Sequence, residues 1–191
     1  MIRKTKLRDQ GFTLIELLTV LVLVGVLLAL GVPSFVAYQR NSELTSATNT
    51  LVGGLYAARG EGMKRGMYAM VIPADDADWN SGWTAFVDVD RSGTLTDGDI
   101  TIQEMPPLPG YFTVSGEGTA GESAPYIMFD ASGYAKTKSA GFGSLTVAIA
   151  RTDVTGSEAT AQTRRIVISK TGRVRACKPS TDSSCVDGAE E

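Results

Sequence analysis

The segment "GFTLIELLTVLVLVGVLLALGVPSF", residues 11–35 of this 191-residue chain, decides how the N-terminal part of the protein is built. The 21 residues from Phe12 to Val32 are almost all apolar or small. As a helix they would extend about 31 Å, which matches the hydrocarbon core of a bilayer. One ionisable side chain, Glu16, lies near the start of this run. Because a carboxylate in hydrocarbon costs several kcal/mol, its presence requires a specific explanation.

Four basic residues, Arg3, Lys4, Lys6 and Arg8, precede the apolar run. The positive-inside rule then keeps the N-terminus in the cytoplasm and places the chain after residue 34 outside it. A secretory signal peptide ending near "ALG" at residues 29–31 and a simple membrane anchor are two possible interpretations. Neither explains Glu16 or the abrupt start of the apolar run after Gly11.

The composition argues against an enzyme. The chain has no histidine, which excludes histidine general-base catalysis and most zinc sites. The carboxylates show no spacing typical of an acid/base pair, and Ser132 does not lie in a nucleophile-elbow motif. We therefore expect no catalytic residue and no cofactor.

An apolar stripe continues the helix beyond the membrane segment. Val36, Leu44, Leu51, Leu55 and Ala58 follow one another at spacings of 8, 7, 4 and 3, which places them on one helical face. Pro33 falls inside the helix and is expected to kink it.

After residue 66 the pattern changes to short strands separated by Gly, Pro, Asp and Ser. The fold class is therefore α+β, with one long helix packed on an antiparallel sheet. The predicted strands are 67–72, 83–89, 100–104, 111–114, 126–129, 145–150, 164–169 and 173–176. "SKTGRV" predicts a hairpin turn between the last two strands.

The two cysteines, Cys177 and Cys185, are close together in sequence. They predict a small disulfide loop if the domain is exported, and two reduced thiols if it is cytosolic. A zinc site would need further ligands, and none lie nearby.

An acidic motif, "DVDRSGTLTDGD", partly fits a calcium-binding loop. Asp88, Asp90 and Ser92 occupy positions one, three and five, and Asp99 occupies position twelve. However, a strand precedes the loop, and Asp99 is shorter than the usual bidentate Glu. A polar hairpin without a metal explains the same residues, since Asp and Gly favour tight turns. The expectation is therefore a hairpin, with calcium as the weaker alternative.

The motif "GFTLIELLTVLVLVGVL" closely resembles the N-terminus of type IV prepilins and type II secretion pseudopilins. The resemblance implies that a prepilin peptidase cuts after Gly11 and methylates Phe12. It also implies that Glu16 is an assembly residue, paired with the N-terminal amine of a neighbouring subunit in a filament. A buried carboxylate is tolerated when a cation pairs with it in this way.

Three later blocks, "WTAFVDVDRSGTLTDGD", "IMFDASGYA" and "RRIVISKTGRVRAC", resemble the GspH/FimT group of minor pilins and pseudopilins. The resemblance implies the pilin fold. It divides the chain into a basic leader peptide (1–11), a transmembrane helix (12–35), its amphipathic continuation (36–65) and a β-rich periplasmic domain (66–191). The expected location is the bacterial inner membrane, and the pilus after assembly.

The basic C-terminal run is the strongest candidate for a binding function, because six cations follow one another with no acid between them. Arg173 and Arg175 are two residues apart, so a strand would present both on one face, where guanidinium groups suit phosphate oxygens. "GRVR" also matches the Gly-Arg-x-Arg signature of FimT-type minor pilins, which are associated with DNA binding in natural transformation. The match assigns Gly172, Arg173 and Arg175. Charge alone adds Lys170, Lys178, Arg164 and Arg165.

The sequence thus predicts a FimT-like minor pilin that assembles with other pilins and binds double-stranded DNA without reading bases. Three alternatives remain open. The basic strand could be an ordinary solvated surface. The chain could be a GspH-like minor pseudopilin with a structural role in type II secretion. Finally, a calcium-dependent adhesin would rest on residues 88–99 alone.

Overall fold

The computed structural model describes residues 11–75 and 77–185. These residues form two helices, eight strands and a short 3-10 turn (Gly118–Gly121). The first helix and the eight strands follow the predicted order, whereas the 3-10 turn and the second helix were not predicted. The helices are α1 (Leu14–Arg65) and α2 (Ser157–Ala161). The strands are β1 (Tyr68–Asp75), β2 (Asp78–Asp88), β3 (Ile100–Met105), β4 (Phe112–Glu117), β5 (Ile127–Phe129), β6 (Leu145–Arg151), β7 (Thr163–Ile168) and β8 (Val174–Cys177).

The chain divides into two compact units, residues 1–40 and residues 41–191. In the first unit, the helical side chains from Leu14 onward are exposed, and a window of α1 has a mean hydropathy of 2.7. The helix is long and apolar enough to cross a membrane. It is continuous through Pro33, so the expected kink does not interrupt it. Proline removes one backbone donor from the helix, and the rest of the helical ladder is maintained around it.

In the second unit, the apolar stripe of α1 packs into the core. Leu44, Leu51, Leu55 and Ala58 are fully buried, as predicted. Val36, the first residue of the predicted apolar stripe, belongs to the first unit and is 38% exposed, so only the later residues of the stripe enter the core.

The end of α1 is fixed by a Schellman motif at Gly66. The Met67 N–H donates to the Gly62 carbonyl, and the Gly66 N–H donates to the Met63 carbonyl. Gly66 has a φ of 67°, the left-handed conformation that this motif requires. The chain can therefore leave the helix and enter β1 within three residues.

The eight strands form two antiparallel sheets, which confirms the α+β class with a long helix packed on antiparallel sheet; the sequence did not predict the number of sheets. The first has the order β3-β2-β1-β5 and the second the order β4-β6-β7-β8. Side chains from both sheets and from α1 share one hydrophobic cluster, which includes Leu51, Trp83, Phe129 and Ile166. Two sheets can each place one face against the same helix. The alternation of side chains within a single strand predicts which residues face the core, but not which sheet the strand joins.

A short connecting segment, residues 133–136, joins the edges of the two sheets. Ala135 forms a β-bridge with Phe129 of β5, the edge strand of the first sheet. The Ala135 N–H also donates to the carbonyl of Lys170, in the turn before β8, the edge strand of the second sheet. The basic C-terminal hairpin is thereby attached to both sheets.

Candidate nucleic-acid interface and N-terminal site

The turn between β7 and β8 is the hairpin predicted by "SKTGRV". The Ser169 N–H donates to the Arg173 carbonyl, and the Gly172 N–H donates to the Ser169 carbonyl. Gly172 has a φ of 77°, which glycine adopts without the steric cost that a Cβ imposes. The strand register pairs Ile168 with Val174 and Val167 with Arg175.

Gly172 packs the turn tightly against the connecting segment. A Cβ at this position would lie well under 3.0 Å from the Gly133 carbonyl oxygen. That oxygen accepts a 2.8 Å hydrogen bond from Arg59 Nε, and the Tyr56 hydroxyl donates to the Val174 carbonyl at 2.7 Å. Gly172 is therefore a packing residue. Its lack of a side chain lets the turn lie directly against residue 133, and helix α1 holds both in place.

Cys177 and Cys185 form the predicted disulfide, with their Cα atoms 5.8 Å apart. The loop that the disulfide closes is held by two of the predicted DNA-binding arginines. Arg175 donates to the Ser184 hydroxyl (2.8 Å) and to the Ser184 carbonyl (3.0 Å), and it pairs with Asp182 at 3.3 Å. Arg165 donates to the Cys185 carbonyl at 2.7 Å.

The environment of Asp182 supports this arrangement. Hydrogen bonds from the Ser184 hydroxyl and backbone, together with the charge of Arg175, hold the pKa of the Asp182 carboxyl below its usual value. Asp182 is therefore ionised at neutral pH and remains a partner for Arg175. The sequence predicted that Arg173 and Arg175 would both present a guanidinium group to phosphate. This prediction is corrected for Arg175, because its side chain binds the disulfide loop.

Arg164 points toward helix α1. Its guanidinium donates to the Asn41 side-chain oxygen at 2.9 Å and to the carbonyls of Ala161 and Thr163. Burial lowers the pKa of this guanidinium, which still stays charged at neutral pH. Arg164 shares the core-facing side of β7 with Ile166 and Ile168, so it is not presented to a ligand on the outer face.

Three of the predicted cations are presented to solvent. Lys170 and Arg173 are exposed, and Lys178 is half-buried. Within residues 11–75 and 77–185, these three side chains make no hydrogen bond or ion pair. The charge run in the sequence thus separates into cations that hold the edge together and cations that remain available. The spacing predicted that a strand would present Arg173 and Arg175 on one face, but β8 begins at Val174, so Arg173 lies in the turn and only Arg175 lies on the strand. The spacing also did not predict the loop that binds Arg175.

The loop contacts make a testable distinction between Arg175 and Arg173. Arg175→Gln is expected to lower the free energy of unfolding by about 1 kcal/mol, because it removes hydrogen bonds that are only partly exposed to water. It should also speed reduction of the Cys177–Cys185 disulfide by dithiothreitol, measured by alkylation and mass spectrometry. Arg173→Gln has the same charge change and should alter neither quantity. Equal reduction rates in the two variants would contradict the assignment of Arg175 to the loop.

The acidic motif at residues 88–99 forms the loop of the β2–β3 hairpin, as expected. Carboxylate oxygens of Asp88, Asp90 and Asp99 lie within 4.8 Å of one another. They accept hydrogen bonds from their own loop: Ser92 and Gly93 donate to Asp88, and Val89 and Thr96 donate to Asp99. Burial raises the pKa of Asp88. The carboxylates thus stabilise the turn itself, as the hairpin interpretation requires.

At the N-terminus, Glu16 takes part in a helix cap that the sequence analysis missed. The Thr13 N–H donates to Glu16 Oε2 at 2.9 Å, and the Glu16 N–H donates to Thr13 Oγ1 at 3.3 Å. This reciprocal pair is a capping box, since α1 begins at Leu14 and Glu16 is its third residue. The T-x-x-E spacing in "TLIE" was the signal available in the sequence. The cap gives the carboxylate a local role beside the intermolecular one inferred from the resemblance.

The long N-terminal helix, the two antiparallel sheets and the capped apolar N-terminus define the pilin fold. A model for the prokaryotic N-terminal methylation motif matches residues 6–32, and the model "Type II transport protein GspH" matches residues 47–172, more than half of the chain. The chain belongs to the GspH family, and it is a minor type IV pilin or pseudopilin-like protein.

Two relatives are named as pilus components. The narrow pilus major component PilA5 of Thermus thermophilus is 32% identical over 84 residues, which cover 41% of this chain and 72% of that protein. The major pilin PilA of Myxococcus xanthus is 40% identical over 52 residues, which cover 27% of this chain and only 23% of that protein.

Two solved structures share the fold. The type IV minor pilin FimU of Pseudomonas aeruginosa has a TM-score of 0.52 at 22% identity, covering 76% of this chain and 95% of that chain. The minor pseudopilin EpsH of Vibrio cholerae has a TM-score of 0.50 at 17% identity, covering 72% of this chain and 98% of that chain. A minor pilin and a minor pseudopilin therefore share the fold described here.

Proposed function

We propose that the protein is a minor type IV pilin that enters a pilus and binds DNA without sequence preference during natural transformation. One observation carries this proposal. Lys170 and Arg173 project from a turn that is held rigidly in place. The turn is held by the close packing of Gly172, by the connecting segment and by two hydrogen bonds from α1. Because the backbone of this turn is already ordered, binding phosphate costs only the freedom of the two side chains and not that of the turn.

The chemistry of this turn suits a polyanion. Arg173 offers a planar fork for two phosphate oxygens, and Lys170 adds a point charge. Lys178, in the disulfide loop, extends the basic surface along the edge of β8. Arg165 and Arg175 contribute indirectly, because they hold that loop beside the strand. Gly172 contributes by allowing the turn to pack.

The proposal includes the processing implied by the N-terminal motif. A prepilin peptidase cuts after Gly11 and methylates Phe12, and the new ammonium group of one subunit pairs with Glu16 of another. Residues 12–35 then anchor the subunit in the inner membrane until assembly, with the domain in the periplasm. The match to the N-terminal methylation motif over residues 6–32 supports this order of events.

The test is binding of a fluorescent 20-base-pair duplex by the full chain in uncharged detergent, over a series of salt concentrations. We expect micromolar or weaker affinity and a plot of log K against log salt with a slope of roughly −2 to −3, one unit for each phosphate contact. Lys170→Gln with Arg173→Gln should weaken binding at least tenfold and flatten the slope by about two units.

The matched control is Lys138→Gln. Lys138 lies over the Tyr126 ring and against Gly93, on the face of the first sheet that points away from the core. Its substitution should leave DNA affinity unchanged. If the double variant bound duplex as well as the parent, the assignment of DNA binding to this turn would fail.

A second candidate is a GspH-like minor pseudopilin with a structural or initiating role in type II secretion. The family model that covers residues 47–172 favours it, since its description is a type II transport protein. A deletion strain distinguishes the two. Loss of transformation with normal secretion supports the pilus role, and loss of secretion with normal transformation supports the pseudopilus role.

A further inference from the structure

The sequence places no aromatic residue among the C-terminal cations, but the fold brings two there. Tyr134 lies in the connecting segment, and the next residue, Ala135, donates its N–H to the carbonyl of Lys170 at 3.1 Å. Phe142 packs against Tyr134 edge to face, with ring centroids 5.6 Å apart. Residues 134 and 142 are thus neighbours of the basic turn in space, although they are 28 to 39 residues from Lys170 and Arg173 in sequence.

Both rings are accessible from the outer surface. Ala135 and its bridge partner Phe129 are fully buried, so Tyr134 on the adjacent position points away from the core. Tyr134 is 42% exposed and Phe142 is 57% exposed. Within the described residues 41–75 and 77–185, Phe142 is the most exposed large hydrophobic side chain. An isolated exposed aromatic requires no explanation, but a packed pair beside a basic turn does.

A third cation belongs to the same surface. Lys136 Nζ lies 3.6 Å from the centroid of the Phe142 ring and 3.8 Å from a carboxylate oxygen of Asp130. Together, Tyr134, Lys136, Phe142, Lys170 and Arg173 form what we call the junction surface, because it lies where the edges of the two sheets meet. It combines exposed aromatic rings with cations, which is the composition of sites that bind single-stranded nucleic acid.

We propose that the junction surface binds single-stranded DNA in preference to duplex, with unpaired bases stacked on Tyr134 and Phe142 and the adjoining phosphates on Lys170 and Arg173. Duplex bases are stacked on one another and offer no free face to a ring, whereas unpaired bases do. The proposal rests on the DNA binding proposed above, since it uses the same two cations. It adds a base-dependent component that tolerates any sequence, because every base has a face that can stack.

The test compares three fluorescent probes on the full chain in uncharged detergent: a 20-nucleotide oligothymidylate, the same strand with abasic sites throughout, and a 20-base-pair duplex. We expect the oligothymidylate to bind about tenfold more tightly than the abasic strand at each salt concentration. The two strands should show the same salt dependence, because their phosphates are identical. The duplex has the higher charge density but offers no free base faces, so it should bind less tightly than the oligothymidylate.

Variants then assign the preference to residues. Tyr134→Ala with Phe142→Ala should reduce the affinity for oligothymidylate by tenfold or more and leave the abasic and duplex affinities unchanged. Tyr134→Phe keeps the ring and should behave as the parent. Lys170→Gln with Arg173→Gln should weaken all three probes and lower the salt slope. The emission of buried Trp79 and Trp83 checks that each variant is folded.

The outcomes separate the two proposals. If abasic and natural strands bound equally, or if the aromatic double variant kept its full affinity for oligothymidylate, stacking would be excluded while DNA binding at the turn would stand. If no probe bound the parent, both proposals would fail. If the aromatic double variant were instead no longer incorporated into filaments while its DNA binding was unchanged, the junction surface would be a contact between subunits. That result would also overturn the inference.

Discussion

Gly172→Ala is expected to lower the free energy of unfolding by about 3–5 kcal/mol, the range typical of severe single substitutions. Two costs add at this position. An alanine at a φ of 77° costs about 1–2 kcal/mol in backbone strain. Its Cβ would also lie well under 3.0 Å from the Gly133 carbonyl oxygen, so the turn must move away from the connecting segment. Urea unfolding followed by tryptophan emission measures the change, because Trp79 and Trp83 are buried in the core.

Gly66→Ala separates the two costs. Gly66 has a φ of 67°, but nothing lies within 4 Å of a Cβ at that position. This variant should therefore lose only about 1–2 kcal/mol, the cost of the left-handed conformation. Equal losses in the two variants would show that packing against Gly133 contributes nothing. The predicted difference also means that the glycine of the "GRVR" motif serves the fold, so its presence does not by itself indicate DNA binding.

Glu16→Ala is expected to reduce incorporation of the subunit into filaments at least tenfold. An N-terminal ammonium that enters a filament core without its carboxylate partner carries an uncompensated charge, at a cost of several kcal/mol. The measurement is the ratio of the variant in sheared filaments to the variant in cells, by quantitative immunoblot. Mass spectrometry of the N-terminus confirms that the leader has been removed in each variant.

Glu16→Gln distinguishes the charge from the cap. Glutamine can replace glutamate in a capping box, so this variant keeps the reciprocal bonds with Thr13 and loses only the charge. We expect it to be excluded from filaments as strongly as Glu16→Ala. Thr13→Val provides the converse control, since it removes the Thr13 hydroxyl from the cap and leaves the carboxylate. Normal incorporation of Glu16→Gln would mean that the cap, rather than an ion pair, is what Glu16 provides.

Local patterns were sufficient to predict most of the fold. All eight strands occur in the predicted order, although β2 begins at Asp78 rather than at residue 83, and the Cys177–Cys185 disulfide was predicted from its spacing. The helical stripe from Leu44 to Ala58 was predicted because helical periodicity directly reports burial. The division into two sheets was not predicted, because it depends on which strands pair at long range. The five-residue helix α2 was also missed, since so short a helix has little periodicity.

The candidate site was predicted only in part, for the same physical reason. Charge and spacing identified Arg173 and Arg175, but the two arginines differ in what surrounds them. Whether a guanidinium is available depends on the disulfide loop, which folds back over the face of β8 and binds Arg175. Likewise, Tyr134 reaches the basic turn only through a backbone contact between Ala135 and Lys170. Neither contact leaves a periodic signal in the sequence.

The attachment of the β7–β8 turn to helix α1 has a mechanical consequence. A strand at the edge of a sheet can be peeled away one hydrogen bond at a time when a load pulls on its end. Here Tyr56 and Arg59 tie the carbonyls of Val174 and Gly133 directly to the helix, and the disulfide closes the far end of β8. A tether attached to Arg173 would therefore load the Tyr56 bond to Val174 as well as the ladder of the sheet, so β8 could not be peeled away without also breaking a bond to the helix.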